Sequence, residues 1–245
     1  MTKWVCAIIL IPAALGPARA GAPDRLGRLE EAGAEVSRFD LGGEKEILLV
    51  RFREGRPADA ALAELCEVPR LRVLILRRAG VTDPGLRSVG GLTRLTWLDL
   101  GGTAVSDAGV KELRNLRGLQ RLWLGGTGVT DAGLVELAGL ADLELLYLND
   151  TGVGDPGLKT VGRLRELRSL FLTRTKVTDA GLGELAGLTD LSVLGLSGNP
   201  GVTDKGVESL ARLKGLKEVY LNGTGVTDEG VARLRKALPE CVVYR

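Results

Sequence analysis

Seven aspartates recur at an almost constant spacing, and carboxylates in such a row could bind calcium or act in acid–base catalysis. Each precedes a stretch with apolar residues at helical spacing. Side chains of Thr or Asp at a helix start accept hydrogen bonds from unpaired backbone N–H groups, and a negative charge there suits the helix dipole. No second acidic residue recurs beside each Asp, as a calcium site would need. We therefore interpret the row as helix capping and predict no metal site. Its members are Asp83, Asp107, Asp131, Asp155, Asp179, Asp204 and Asp228.

The other residue types give no catalytic constellation. The chain has no His, which excludes His-based triads, His metal ligands and the usual acid–base group at neutral pH. Its 35 glycines do not form a phosphate-binding loop, because GTGVTD ends in Asp131 and GVTDKG is followed by Val207. The sequence therefore predicts neither an enzyme nor a bound cofactor.

The aspartates belong to an internal repeat. Units of 24 residues with the form LQRLWLGGTGVTDAGLVELAGLAD follow one another, and the sixth clear unit has one extra residue at 199–201. A degenerate copy runs from Ile47 to Arg70, which makes eight units. The clear units begin at Leu71, Leu95, Leu119, Leu143, Leu167, Leu191 and Leu216.

Each unit predicts one strand and one helix. L-x-x-L-x-L places alternate leucines on one side, as in a strand, and the spacing of Leu134, Leu137 and Leu140 favours one helical face. A single unit cannot cover its own leucines, so neighbouring units must stack around a continuous core. We expect an α/β solenoid shaped as the arc of a horseshoe, with a parallel sheet on the concave side and helices on the convex side.

The pattern L-x-x-L-x-L-x-x-(N/T)-x-V-T-D-x-G-L resembles the leucine-rich repeat family. It is most similar to the ribonuclease-inhibitor-like, helix-bearing subtype found in F-box partners and in exported bacterial proteins. The resemblance implies a right-handed solenoid and protein recognition, and it names no partner. The (N/T) position of the motif departs from the family, because Thr occupies it in most units and Asn199 is the only Asn found there. We expect the row of side-chain-to-backbone hydrogen bonds at that position to be weaker or differently made.

The third and fifth residues of each strand motif face away from the leucine core. Nine of these fourteen positions are apolar, whereas a solvated sheet face should be mainly polar. Strand propensity alone is one explanation, because aromatic residues favour strands. A binding surface is the other, and we favour it. The predicted partner-binding residues are Trp97, Asp99, Arg121, Trp123, Leu145, Tyr147, Phe171 and Tyr220.

We predict a non-catalytic module that binds another macromolecule through this face. Protein is the preferred partner, with Trp123, Tyr147 and Phe171 as one aromatic ladder and with Asp99, Arg121 and Glu218 setting orientation. A cell-envelope polysaccharide is the alternative, because aromatic ladders also stack on sugar rings. Nucleic acid is not expected: without Lys3 and Arg19 in the first twenty residues, 31 basic residues balance 31 acidic ones.

The N-terminus is typical of a cleaved export signal. Lys3 precedes the apolar run from Trp4 to Gly16, and Ala18-Arg19-Ala20 has the form of a cleavage site. The run is too short to span a bilayer comfortably, so we expect no membrane insertion after cleavage and a periplasmic or extracellular location. The predicted segments are a signal peptide at 1–20, an N-terminal cap at 21–46, repeats at 47–238 and a C-terminal cap strand at 239–245.

Two cysteines remain after cleavage, Cys66 and Cys241. The repeat architecture separates them by most of the length of the stack. We expect buried thiols rather than a disulfide or a metal site.

Overall fold

A computed structural model describes residues 25–41, 44–55, 58–68 and 70–245. The predicted signal peptide lies outside the described residues. Among the helices that the structure describes, none combines the length and apolar character needed to cross a membrane.

One ten-stranded sheet runs through the molecule with its strands in chain order. Strands β2 to β10 pair in parallel, as the repeat predicts, and β1 pairs antiparallel with β2. The strands are β1 (Ala34–Leu41), β2 (Glu44–Phe52), β3 (Leu71–Ile75), β4 (Trp97–Asp99), β5 (Arg121–Trp123), β6 (Leu145–Tyr147), β7 (Ser169–Phe171), β8 (Val193–Gly195), β9 (Glu218–Tyr220) and β10 (Val242–Tyr244).

Short helices alternate with the strands. They are α1 (Arg25–Glu31), α2 (Asp59–Leu62), α3 (Asp83–Val89), α4 (Asp107–Val110), α5 (Asp131–Leu134), α6 (Asp155–Val161), α7 (Asp179–Leu182), α8 (Val207–Leu210) and α9 (Asp228–Ala237). Four of them continue as 3₁₀ turns, at Ala63–Glu67, Lys111–Asn115, Val135–Gly139 and Gly183–Gly187.

The 3₁₀ turns correct the sequence-based expectation of a single α-helical face. Leu134, Leu137 and Leu140 are spaced three residues apart, which matches the three residues per turn of a 3₁₀ helix better than 3.6. All three leucines are buried against the stack.

The core is a column of leucines that continues from repeat to repeat. Leu98, Leu122 and Leu146 pair in register on consecutive strands and have no exposed surface. Each such leucine contributes about 2 kcal/mol of burial free energy, and it is buried only because a neighbouring repeat covers it.

The row of aspartates joins successive repeats, which the sequence analysis did not predict. The Asp107 carboxylate accepts hydrogen bonds from the backbone N–H of Thr130 at 2.7 Å and from its hydroxyl at 2.6 Å. Thr130 is the residue that caps its own helix, because its Oγ1 accepts from Ala132 N. Assigning the cap to the aspartate was therefore wrong in this repeat. The same link is made by Asp59, Asp83, Asp155, Asp179 and Asp204 to the Thr or Ser of the next repeat.

The glycine two residues after each aspartate makes room for this link. A Cβ on Gly133 would collide with Oδ1 of Asp107, the carboxylate of the preceding repeat. Gly157 takes part directly, since its N–H donates to Asp131 at 3.0 Å. The spacing of Asp and Gly in the repeat is therefore a packing requirement between neighbours.

The Thr residues that replace the family's usual Asn make different hydrogen bonds from those of Asn199, as the sequence predicts. The Thr127 hydroxyl donates to Leu124 O within its own repeat, at 2.5 Å. Asn199 reaches two repeats, because its Nδ2 donates to Leu172 O at 2.7 Å and to Leu196 O at 2.9 Å. Thr therefore turns the chain locally, whereas Asn also links adjacent units.

The ends of the sheet carry additional elements. At the N-terminal end α1 stops at Glu31, Gly33 adopts a φ of 89°, and β1 follows. The boundary drawn at residues 46 and 47 falls inside β2. At the other end, α9 stops two residues before Pro239 and β10 completes the sheet.

The Cys241 thiol is buried and free, and burial raises its pKa. The side chain of Cys66 lies outside the described atoms, so its burial remains a prediction.

Replacing Asp107 by Ala should lower the free energy of unfolding by about 2 kcal/mol, because two donors of Thr130 lose their acceptor. Urea denaturation measures this difference. The control is Asp142→Ala, at an exposed loop position of the following repeat. Equal stability of the two variants would contradict the ladder's role.

Candidate functional site

The outward residues of the strands form two columns on the concave face, which we define as the sheet face opposite the helices. Trp97 pairs in register with Arg121, and Asp99 with Trp123. Leu145 and Tyr147 follow on the next strand. The structure thus brings seven of the eight predicted residues together on strands β4 to β7, and Tyr220 lies two strands further along.

The aromatic rings form pairs rather than the single ladder predicted from sequence. Trp97 stacks on Trp123 with centroids 5.0 Å apart and an interplanar angle of 20°, and Tyr147 contacts Phe171 at 5.0 Å and 33°. The first pair joins the two columns diagonally. Aromatic pairs favour offset or tilted arrangements over a perfect face-to-face sandwich, and both pairs adopt such arrangements.

A third pair lies at the C-terminal end of the concave face. Tyr220 stacks on Tyr244 of β10, with centroids 4.6 Å apart. The hydroxyl of Tyr220 donates to Glu218 Oε2 at 2.6 Å. Glu218, predicted to orient a partner, is thereby held within the face.

Two predicted contact residues are more buried than expected. Trp123 is 9% exposed and Leu145 is 6% exposed, because the neighbouring outward side chains cover them. They lie at the bottom of the face, while Trp97, Tyr147 and Phe171 keep part of their surface open. We call these five residues, four of which are aromatic, the aromatic floor.

Asp99 is a buried carboxylate beside the aromatic floor, with 9% of its surface exposed. Its Oδ1 accepts a hydrogen bond from Gly101 N at 2.8 Å, and its Oδ2 lies 3.8 Å from Arg77. Burial raises the pKa of Asp99, while the Gly101 hydrogen bond and the charges of Arg77 and Arg51 lower it. The burial effect is the largest of these.

Arg121 lies over the Trp97 ring, with its guanidinium carbon 5.3 Å from the ring centroid. This cation–π contact places a positive charge at the margin of the aromatic floor. The indole N–H of Trp97 is buried and has no hydrogen-bond partner among the described residues.

A cavity of about 560 Å³ opens between the aromatic floor and the N-terminal strand pair, β1 and β2. Five charged residues that the sequence analysis missed line it: Glu35, Arg51, Arg53, Glu54 and Arg77. Arg51 could have been found, since it occupies the outward column 24 residues before Ile75 and pairs with it in register. Glu35 could not, because only the antiparallel pairing of β1 brings it there.

The residues of this face can make apolar and charged contacts with another molecule. Within the described ranges, no three His, Cys, Asp or Glu side chains converge as metal ligands. An apolar floor with a charged rim fits a surface that buries part of another molecule.

A parallel sheet with helices on its outer side, built from stacked identical units, defines a solenoid repeat protein. Residues 55–242 match a family model described as a leucine-rich repeat region, and the chain belongs to the leucine-rich repeat family. A comparison with curated proteins gives no match.

Two solved structures from Listeria monocytogenes share the fold. An internalin is 22% identical with a TM-score of 0.63, over 74% of this chain and 49% of its own. Internalin C2 is 28% identical with a TM-score of 0.61, over 75% of this chain and 74% of its own. The chain thus spans about half the length of the first internalin.

Asp99→Asn should stabilise the protein relative to wild type, by an amount that grows from pH 3.8, the ordinary pKa of the carboxyl group, up to the raised folded-state pKa and is constant above it. A raised folded-state pKa means that the folded protein disfavours the ionised form, so the wild type loses stability as pH rises through that pKa. Denaturation curves of both proteins across the acid-to-neutral range measure the difference. The exposed Asp190→Asn is the control, and an identical pH trend in both variants would contradict the assignment.

Proposed function

We propose that the chain is a non-catalytic module that binds another protein through its concave face. The observation that supports this most directly is the cavity of about 560 Å³, with an aromatic floor and a charged wall on a rigid parallel sheet. Membership of the leucine-rich repeat family agrees with a binding role.

Binding would proceed by rigid presentation. The floor residues are packed in register before a partner arrives, so little conformational entropy is lost at the interface. Aromatic residues and Arg dominate the energetics of protein interfaces, and this face carries both. Asp99 and Arg121 would select orientation, since each unmatched charge disfavours a wrong partner.

The geometry favours protein over polysaccharide, the alternative raised by the sequence. Sugar rings stack on open aromatic faces, but Trp97 and Trp123 stack on each other and Arg121 also lies over Trp97. The amide oxygen of Asn149, a candidate for sugar hydroxyls, already accepts from Thr173 N at 2.7 Å. A glycan array probed with the protein tests this preference, and specific glycan hits would reverse it.

We also propose that the protein is exported and belongs to the ribonuclease-inhibitor-like subtype. The charged start, apolar run and Ala-x-Ala site support export, and the 24-residue unit with a convex helical segment supports the subtype. Mass spectrometry of the product from the native cell tests export: the expected mature chain begins at Gly21, outside the cytoplasm.

The triple variant Trp123→Ala, Tyr147→Ala, Phe171→Ala should lose partner binding, because it removes the apolar anchor. Each hot-spot truncation typically costs at least about 2 kcal/mol, or roughly thirtyfold in affinity. Affinity capture from the cell envelope, with variant and wild type side by side and bound protein quantified, measures the loss.

The control for this prediction removes an exposed apolar residue away from the concave face. Val135, in the 3₁₀ turn that follows α5, is 61% exposed, and Val135→Ala should retain binding. Circular dichroism checks that both variants fold. A folded triple variant with full partner capture would show that the concave face is not the binding site.

A further inference from the structure

We infer that the segment bound by the concave face is an acidic peptide that places an apolar side chain on the aromatic floor and carboxylates against an arginine rim. This inference rests on the proposed function and specifies the chemistry of its partner. Three features of the face support it: two adjoining cavities, a gap in the edge of the face and an excess of positive charge among the described side chains.

The groove extends beyond the main cavity. A second cavity of about 360 Å³ adjoins the first, and Arg77, Trp123 and Tyr147 line both. It leaves the face at the carboxyl ends of the strands, across Gly101, Gly102, Gly125 and Gly126, which we call the glycine gap. An extended chain can therefore run from the N-terminal strand pair across the floor and out over the gap.

The backbone conformation of the turn does not by itself require glycine at all positions of the glycine gap. Gly102 and Gly126 have φ of 68° and 69°, but other repeats place Arg78, Asp150 and Arg174 at the same position with φ of 53°, 59° and 52°. Side chains are thus tolerated there. The glycine pairs fall in the two repeats that carry Trp97 and Trp123, so the turns beside this part of the floor carry no side chains at these positions.

The arginines around the groove keep their hydrogen-bonding capacity available. None of five guanidinium groups donates a hydrogen bond to another described residue, and their three ion contacts with described acids are long. Arg53 lies 3.4 Å from Glu35, Arg77 lies 3.8 Å from Asp99, and Arg78 lies 3.9 Å from Glu54. The five groups are those of Arg51, Arg53, Arg77, Arg78 and Arg121.

Arg174 shows the contrast with a satisfied arginine. It donates to both oxygens of Asp150, at 2.5 and 2.7 Å, which fills the fork of its guanidinium group. Among the side chains that the structure describes at this end of the face, the five rim arginines lie beside three acids, Glu35, Glu54 and Asp99, which leaves two surplus positive charges. A ligand carboxylate can supply the missing acceptors.

The position of Asp99 separates the two parts of the ligand. A buried carboxylate beside the floor repels a second one, so the ligand carboxylates are directed to the rim and its apolar side chain to the floor. Glu218 at the far end of the face adds negative charge there. The acidic part of the peptide is therefore expected near the N-terminal strand pair.

Intrinsic fluorescence reports this site directly. The chain has three tryptophans, and two of them, Trp97 and Trp123, belong to the aromatic floor. In the full chain carrying Trp4→Phe, the emission then comes only from the floor. The probes are three Trp-free decapeptides with the same Leu and Phe positions and with Glu/Asp, Lys/Arg or Ser/Gln at the others.

The acidic peptide should change the tryptophan emission and bind roughly tenfold more tightly than the neutral one, and the cationic peptide should bind more weakly still. Raising the salt concentration should reduce this preference, because the rim charges are partly exposed. The double variant Arg51→Glu, Arg77→Glu should abolish it. Its control, Arg117→Glu, Arg212→Glu, makes the same change in net charge at exposed positions away from the face.

The outcomes distinguish the two proposals. Equal binding of the neutral and acidic peptides, binding preference for the cationic peptide, or equal effects of both double variants would overturn the acidic specificity and leave the concave face as the binding site. No response to any peptide at millimolar concentration would also overturn the inference. If the acidic peptide binds but the alanine triple variant of the floor binds it equally well, by a labelled-peptide assay, the proposed function fails as well.

Discussion

The leucines of one repeat are buried only where the next repeat lies against them, and every other feature of the molecule depends on this contact. Apolar burial supplies the energy of stacking but does not set its spacing, because it has no direction. The spacing comes from hydrogen bonds, both those of the backbone ladder in the sheet and those between the Asp107 carboxylate and Thr130 and their equivalents. Gly133 and its equivalents let the carboxylate approach. The leucine, aspartate, threonine and glycine positions thus act together to hold each repeat against the next.

A fixed spacing determines how the concave face is built. Aromatic side chains on adjacent strands are close enough for their rings to contact, and the rings meet in stacked or tilted pairs. Gly195 allows this for Phe171, whose ring would come within 2.9 Å of a Cβ at that position. The result is a floor assembled by the scaffold itself, with Asp99 and Arg121 held at its margin.

The features that recur in every repeat could be predicted from the sequence. The strand positions and the parallel pairing follow from the 24-residue period. So do the two outward columns, one with Trp97 and the other with Trp123, Tyr147 and Phe171. Sequence reasoning did not identify the donor partners of the aspartates, because a motif within one unit does not show what the neighbouring unit donates. The charged wall was missed for a related reason. Glu35 and Arg53 come from the strand pair that precedes the clear repeats, where β1 runs against the direction of the other strands.

The extra residue of the sixth clear repeat shows where such a stack can change its length. The sheet keeps its register across it, with Val193 opposite Glu218 and Leu194 opposite Val219. Asp179 still meets Thr203, now 24 rather than 23 residues away. Insertion at the turn after Asn199 therefore leaves both faces of the sheet in phase. Turns of this solenoid can diverge in length and composition during evolution, while the surface that meets a partner changes only by substitution or by whole repeats.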